Sequence, residues 1–272
     1  MITYPNAKIN IGLNVVERRP DGYHNLETIF YPIPFTDALE ITSSQDDVQL
    51  KVSGEILNGS PEDNLVMRAY RLLQQANPDK VKPVSIHLFK QIPTGAGLGG
   101  GSADAAFTLK ALNERFKLDL SIAELEQLAT KLGADCSFFI QNKPAFAEGI
   151  GNKFTDIDLN LKGMTLVLVK PDIFISTRDA YANIKPHHPE TNLLELIKQP
   201  IEQWRDTIVN DFEASVFPVH PSLAAIKDQL YDLGAVYASM SGSGSTLFGL
   251  FRQPLDHIDE IFSGYFCRQR EL

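Results

Sequence analysis

Hydrophobic and polar residues alternate without a break from residue 7 to residue 15. A period of two is typical of a half-buried strand, with the apolar side chains on one face and Lys8 and Asn10 on the other. The apolar set is Ala7, Ile9, Ile11, Leu13 and Val15. Pro20-Asp21-Gly22 then predicts a turn. The strand-like runs that follow it lie at 26–33, 38–42 and 48–52, so the chain opens with β-structure.

Helical periodicity takes over after residue 61. It predicts one helix that begins at Glu62-Asp63-Asn64 and another that follows the glycine-rich segment beginning at Pro93. An alternating run at 84–88 predicts a strand between them. Residues 121–124 form a capping box that opens a further helix, and Gly133 is expected to close it.

The second half repeats this mixture of strands and helices. The stretch 148–163 is rich in Gly, Asn, Asp and Lys, and we interpret it as a domain junction. Strands are expected at 164–169, 235–240 and 246–251, and helices at 193–198, 200–209, 221–233 and 255–266. The pattern predicts an α+β fold with an N-terminal domain over 1–155 and a C-terminal domain over 156–272.

Composition narrows the class of protein. The 272 residues are 43% hydrophobic and 22% charged, as in an ordinary globular protein. A formal net charge of −9 disfavours binding to a nucleic-acid backbone. We expect no membrane span, because no long apolar run occurs, and no signal peptide, because the first residues lack a basic n-region and an apolar h-region. Two cysteines, Cys136 and Cys267, are too few for a disulfide framework or a zinc site, so we expect a cytoplasmic protein.

The glycine-rich segment between residues 93 and 102 carries most of the chemical information. It contains five glycines between residues 95 and 101 and lies between a predicted strand and a predicted helix. Glycines let backbone N–H groups approach a phosphate, and a helix N-terminus adds partial positive charge. The alternative, a flexible linker, does not explain the strongly periodic elements on both sides. The segment therefore predicts a phosphate-binding loop.

Two common phosphate loops fail on specific features. Gly95, Gly97 and Gly100 match G-x-G-x-x-G, but the dinucleotide fold needs a second strand where this sequence has a capping box and another helix. Gly95 and Gly100 also match the start of a Walker A motif, but Gly101 stands where its lysine is required.

Three segments resemble the motifs of the GHMP kinase family. Pro5 to Leu13 resembles the first motif, and Pro93, Gly97, Leu98 and Gly99 match the second. Gly100 and Gly101 replace the second motif's paired serines. Because residue 103 is alanine, Ser102 is the one hydroxyl residue directly after the glycines. Met240 to Thr246 resembles the third motif, and a hairpin turn is the plausible alternative for that segment. The resemblance implies a two-domain fold with the active site in the cleft between the domains.

The resemblance also implies roles for individual residues. Lys8 and Asp135, the latter within Gly133-Ala134-Asp135-Cys136, would be catalytic, with Asp135 as the general base and Lys8 near it. From the pattern alone, a solvated strand face is the simpler interpretation of Lys8 and Asn10. The family match reverses that preference. The expected ATP-binding residues are Asn64, Lys90, Pro93, Thr94, Gly95, Ala96, Gly97, Leu98, Gly99, Gly100, Gly101, Ser102 and Ala103, and those of the second glycine loop are Ser241, Gly242, Ser243 and Gly244.

The acceptor is implied by Asp21-Gly22-Tyr23-His24, which resembles a substrate motif of one branch of the family. Tyr23 would stack on a cytosine, His24 would hydrogen-bond it, Tyr181 would supply a second aromatic face, and Asn10 would also contact substrate. The expected partner is a small cytidyl diphosphate, phosphorylated at the C2 hydroxyl of a methylerythritol unit in non-mevalonate isoprenoid biosynthesis.

ATP is the expected co-substrate, and Mg²⁺ the expected metal, with Ser102 as the best protein candidate to hold it. No nucleic acid, membrane or obligate protein partner is expected. The alternatives are another GHMP enzyme, such as a mevalonate-type or homoserine-type kinase or a mevalonate-route decarboxylase, and a nucleotide-binding regulator without catalysis.

Overall fold

The protein is described by a computed structural model that covers residues 1–55 and 60–272. Within these residues it is an α+β protein with three four-stranded sheets. The chain divides into two compact units that interleave along the sequence. The first consists of Met1–Ala7, Phe35–Thr94 and Gly99–Lys143, and the second of Lys8–Pro34, Gly95–Leu98 and Pro144–Leu272. The domain boundary expected after residue 155 stays a prediction.

The first unit contains one sheet, in which the strand order is β1-β4-β6-β5. Only the β5–β6 pair is parallel among these strands. The strands are β1 (Ile2–Thr3), β4 (Ala38–Ser43), β5 (Gln49–Gly54) and β6 (Val84–Lys90). The helices are α1 (Leu65–Ala76), α2 (Gly100–Arg115), α3 (Ile122–Thr130) and α4 (Phe138–Gln141). Alternation buries Leu39, Ile41, Ile86 and Leu88 in the core of this unit.

The second unit contains most of one sheet and all of another. The first of these has the strand order β2-β3-β7-β8 and the second β10-β11-β9-β12. The strands of the first sheet are β2 (Asn6–Arg18), β3 (His24–Thr36), β7 (Ala145–Gly149) and β8 (Lys153–Asp156). Those of the second are β9 (Thr165–Lys170), β10 (Tyr237–Met240), β11 (Leu247–Phe251) and β12 (Phe266–Glu271).

Five helices belong to the second unit. They are α5 (Thr177–Tyr181), α6 (Leu193–Leu196), α7 (Asp211–Val216), α8 (Pro221–Asp232) and α9 (Ile258–Ile261). One buried cluster joins strand and helix side chains, among them Leu13, Val167, Phe212, Leu230 and Leu247. In residues 1–55 and 60–272, no helix combines the length and the apolar character needed to cross a membrane.

Most elements with a local signal were predicted correctly. The strands at 7–15, 26–33, 38–42 and 48–52 are present, and the capping box at Ser121 and Glu124 forms with both of its hydrogen bonds. Gly133 does not end α3, which stops at Thr130.

Two helix predictions in the second half were wrong. Residues 200–209 hold only a 3₁₀ turn at Ile201–Gln203. The helix expected over 255–266 is limited to Ile258–Ile261, and β12 follows it as an antiparallel partner of β9. Gly264, with a φ of 86°, lies in the turn that follows the short helix, and the chain pairs with β9 from Phe266 onward.

Candidate active site

Lys8 and Asn10 lie on the polar face of β2, and both side chains are buried. The ammonium of Lys8 donates to Asn10 Oδ1 at 2.6 Å and to the Gly97 carbonyl oxygen at 2.9 Å. It also lies 5.0 Å from the centre of the Phe30 ring. A buried ammonium is costly unless hydrogen bonds replace its water. The interpretation of this face as solvated was therefore wrong, because both polar side chains are buried and hydrogen-bonded.

The glycine-rich loop has the backbone conformation that its glycines suggest. Gly95, Gly97 and Gly99 all have positive φ angles, of 63°, 76° and 71°. Gly99 is the N-cap of α2 and contributes no side-chain hydrogen bond to the helix. Gly99 therefore leaves the first N–H groups of α2 without a side-chain acceptor. Such a helix N-terminus is suited to binding an anion.

The second glycine loop is the turn between β10 and β11, and it also packs against the first loop. Ser241 Oγ donates to the Gly97 carbonyl oxygen at 2.9 Å, and Thr246 N donates to the Ala96 carbonyl oxygen at 3.3 Å. A Cβ placed on Gly97 would lie 1.9 Å from the Ser241 carbonyl oxygen. Gly97 is therefore required by a close backbone approach as well as by its φ angle.

Of the residues expected to bind cytosine, Tyr23 is exposed, whereas His24 and Tyr181 pack against each other. Tyr23 follows the turn at Asp21 and is 63% exposed. The His24 ring stacks on Tyr181, with centroids 4.5 Å apart and 14° between the ring planes, and Tyr181 meets Phe212 edge-on. Burial and the nearby Arg18 lower the pKa of His24, so the neutral ring is favoured near pH 7.

Asp135 lies in the first unit, in a 3₁₀ turn formed by Ala134–Cys136. The following thiol is buried. Burial raises the pKa of Cys136 to about 11, although a hydrogen bond with Ser102 opposes the shift. Cys136 is thus a packed thiol and not a nucleophile. Its contact with Ser102 ties the turn that carries Asp135 to the first turn of α2.

Asn64 and Lys90, both expected near the adenine, have structural partners. Asn64 is the N-cap of α1, and its Oδ1 accepts from Val66 N at 2.9 Å. The buried ammonium of Lys90 donates to Asp37 and, at 2.8 Å, to Asp104 on α2. Burial raises the pKa of Asp104 to about 7, although Lys90 favours the carboxylate.

The carboxylates Asp37 and Asp104 were missed by the sequence reasoning. A signal was present, because Lys90 continues the alternation of Val84, Ile86 and Leu88 and so falls on the buried face of β6. A lysine in that position requires acidic partners. Nothing local identifies which aspartates they are.

The candidate ligands for a metal are few. Within the described part of the chain, no three His, Cys, Asp or Glu side chains come together as a metal site. Mg²⁺ that is bound with a nucleotide commonly relies on phosphate oxygens and water, with one or two protein oxygens. The Ser102 hydroxyl, in the first turn of α2, is compatible with that mode.

Comparison with known proteins matches both halves of the chain to one family. The model of the GHMP kinase N-terminal domain matches residues 64–146, and that of the GHMP kinase C-terminal domain matches residues 191–268. A Bacteroides fragilis protein named 4-diphosphocytidyl-2-C-methyl-D-erythritol kinase is 59% identical over 276 residues, which cover all of both chains. A Parabacteroides distasonis protein of the same name is 53% identical, again over all of both chains.

Solved structures support the same family assignment. The crystal structure of a 4-(cytidine 5'-diphospho)-2C-methyl-D-erythritol kinase is 30% identical and matches with a TM-score of 0.83, covering 99% of this chain and 98% of that one. A homoserine kinase from Cytophaga hutchinsonii shares the fold at 14% identity, with a TM-score of 0.67 and 97% and 93% of the two chains covered. The predicted α+β fold is confirmed, and the chain belongs to the GHMP kinase family, in the branch of the 4-diphosphocytidyl-2-C-methyl-D-erythritol kinases.

Proposed function

We propose that this protein transfers the γ-phosphoryl group of ATP to the C2 hydroxyl of 4-diphosphocytidyl-2-C-methyl-D-erythritol, in non-mevalonate isoprenoid precursor biosynthesis. The observation that carries the proposal is 59% identity, along the whole chain, with a relative named for this substrate. The buried lysine of β2 and the two glycine loops beside it give the proposal a physical basis. Two buried free cysteines support a reducing, cytosolic location.

Two residues would act on the reacting atoms. Asp135 would accept the proton of the acceptor hydroxyl as general base, and Lys8 would stabilise negative charge on the attacking oxygen. The Lys8 ammonium is fixed by two hydrogen bonds, to Asn10 and to Gly97. A charge held in place before reaction suits phosphoryl transfer, because that reaction depends mainly on positioning and electrostatics.

ATP would bind at the glycine-rich loop, from Pro93 to Ala103. The positive φ angles of Gly95, Gly97 and Gly99, and the N-terminus of α2, suit binding of its phosphates. Mg²⁺ would neutralise phosphate charge when bound, with the Ser102 hydroxyl as the protein ligand. Asn64 and Lys90 would then act on the nucleotide pocket through the backbone they hold, since their side chains are engaged in capping and in an ion cluster.

The cytosine would bind at Tyr23 and His24. Tyr23 offers an exposed ring face, and the His24 ring is held flat by Tyr181. Because the His24 ring covers one face of Tyr181 at a centroid distance of 4.5 Å, a cytosine can stack on that face only if His24 leaves it. We therefore propose that Tyr181 orients His24, while its role as the second face of a cytosine sandwich stays a prediction.

A substrate panel tests the reaction. ADP release from Mg-ATP is followed with the cytidyl acceptor, with mevalonate and with homoserine. We expect turnover with the cytidyl acceptor alone. Preference for mevalonate or homoserine would keep the family but refute the substrate. ATP hydrolysis that ignores every acceptor, or folded protein with no turnover, would favour a nucleotide-binding regulator.

Two variants test the roles. Asp135→Asn should lower kcat by about 100-fold or more, with KM for ATP little changed. Asp119→Asn is its control, because Asp119 is exposed and its φ of 59° suits asparagine equally well. Tyr23→Ala should chiefly raise KM for the cytidyl acceptor. Tyr4→Ala, which removes a ring with 61% exposure, should not. An unchanged KM in Tyr23→Ala would refute the stacking role.

A further inference from the structure

We propose that Asn210 is a positioning residue for Lys8, and that it acts through the loop that carries Ser241. The proposal rests on the catalytic role proposed above for Lys8. It concerns residues of the second unit only, and it adds a residue that lies more than 200 positions from Lys8 in the sequence.

The Asn210 amide uses both of its ends. Its Oδ1 accepts from Phe212 N at 3.0 Å and so caps α7. Its Nδ2 donates to the carbonyl oxygens of Met240 at 2.7 Å and Gly242 at 2.9 Å. A helix cap requires only the acceptor, and Asp or Ser would provide it as well. The two donated bonds are the part that requires an amide, and they hold the backbone on both sides of Ser241.

Ser241 passes this constraint to the lysine. Its side chain is fully buried, and its hydroxyl donates to the Gly97 carbonyl oxygen at 2.9 Å. The same oxygen accepts from Lys8 Nζ, also at 2.9 Å. Ser241 Oγ in turn accepts from Asn10 N at 3.2 Å, and Asn10 Oδ1 also accepts from Lys8 Nζ. The oxygens of Asn10 and Gly97 that accept from the ammonium therefore both belong to residues that contact Ser241.

A second residue of α7 supports the same strand end. Glu213 is buried, and its Oε1 accepts from Met240 N at 2.8 Å, while Lys227 pairs with its other oxygen at 2.6 Å. The N–H and the carbonyl of Met240 are thus both bound by side chains from the start of α7. Gly242 and Gly244 provide the positive φ angles that the turn requires. The hydrogen bonds from Asn210 and Glu213 hold the turn in position.

The test uses a substitution that separates the two ends of the amide. Asn210→Asp keeps size, shape and the cap acceptor but removes both donors. We expect kcat to fall by about 10-fold or more, because a displacement of about 1 Å at a reacting centre can cost about 100-fold and a smaller shift of the ammonium costs proportionately less. KM for ATP should change by less than about twofold, as expected when a contact made mainly in the transition state is lost. Asn192→Asp is the matched control, because Asn192 caps α6 through the same acceptor bond, at 2.7 Å to Leu194 N, on the surface.

Ser241→Ala alone keeps the proposal testable if Asn210→Asp is unstable, because it should lower kcat and shift the Lys8 ammonium through the same contact with Gly97. Where both variants fold, a double-mutant cycle tests whether they act through one path. Ser241→Ala removes the hydroxyl that contacts Gly97, and its effect on kcat should overlap with that of Asn210→Asp, so that the double variant loses less than the product of the two losses. Unchanged kcat in folded Asn210→Asp, an equal loss in Asn192→Asp, or losses that simply multiply would overturn the proposal.

An NMR measurement separates this proposal from the proposed function. The side-chain ¹⁵Nζ signal of Lys8 reports the surroundings of the ammonium without any turnover. It should shift in Asn210→Asp and stay in place in Asn192→Asp. If the wild type shows no kinase activity but this pattern holds, the proposed function fails and the positioning stands. If the wild type is active and the Lys8 signal does not move in Asn210→Asp, the positioning role of Asn210 is refuted and the proposed function stands.

Discussion

Gly97→Ala tests whether the contact between the two glycine loops sets the activity. The added Cβ would lie 1.9 Å from the Ser241 carbonyl oxygen, where at least 3.0 Å is needed. The two backbone segments must therefore separate by about 1 Å, and a displacement of that size can cost about 100-fold in rate. Gly97 also carries the oxygen that accepts from Lys8, so the displacement acts directly on the ammonium.

A second glycine separates the clash from backbone strain. Gly163 has a φ of 83°, close to the 76° of Gly97, but a Cβ there would have no neighbour within 4 Å. Both alanine variants should lose about 1 kcal/mol of stability from the left-handed backbone. Only Gly97→Ala should also lose catalytic activity.

The assay compares kcat at saturating ATP and acceptor with thermal unfolding of the same samples. We expect Gly97→Ala to show a loss in kcat of about 100-fold, and Gly163→Ala to stay within about twofold of wild type. A folded Gly97→Ala with near wild-type kcat would refute the reasoning, because the loops would then tolerate separation. An equal loss in Gly163→Ala would attribute the effect to strain alone.

Three further predictions concern the ion cluster and the aromatic stack. Lys90→Met should cost about 3 kcal/mol of unfolding free energy in urea titrations, because Asp37 and Asp104 lose their buried partner. With Asp104 at a pKa of about 7, the folded state holds a proton that the unfolded state releases near pH 3.9, so stability should fall as pH rises from 4 to 7. Asp104→Asn should reduce that fall. Tyr181→Ala should raise KM for the cytidyl acceptor by about 10-fold, since it frees the His24 ring.

Each of these predictions has a control or an outcome that would contradict it. Lys198→Met removes an exposed pair with Glu195 and should cost less than about 0.5 kcal/mol. An Asp104→Asn variant whose stability relative to wild type is the same at pH 5 and pH 8 would place the carboxylate at an ordinary pKa. A Tyr181→Ala variant that changes KM for ATP as much as KM for the acceptor would point to general disorder.

The sequence predicted what local pattern and backbone chemistry decide. Strict alternation gave β2 and put Lys8 and Asn10 on one face, and the Ser121–Glu124 box gave the start of α3. The burial of that polar face could not be predicted from the strand alone, because the groups that cover it come from residues 97 and 241.

Contacts between distant segments account for most of what the pattern missed. Strand β12 is an edge strand that pairs with β9, about 100 residues earlier, so a short run at the end of the chain was not predicted as a strand. Asn210 and the helix that it caps, α7, were not predicted. The carbonyls that its amide binds lie in a loop 30 residues further on.

The destination of the transferred phosphoryl group tests the central claim most directly. Wild-type protein would be incubated with Mg-ATP and with acceptor labelled with ¹³C at C2, and the product examined by ³¹P and ¹³C NMR. We expect one new phosphate monoester coupled to C2, an intact cytidine diphosphate, and formation of the same product at least about 100-fold more slowly with Asp135→Asn. A monoester on another hydroxyl, or release of inorganic phosphate with unmodified acceptor, would contradict the account.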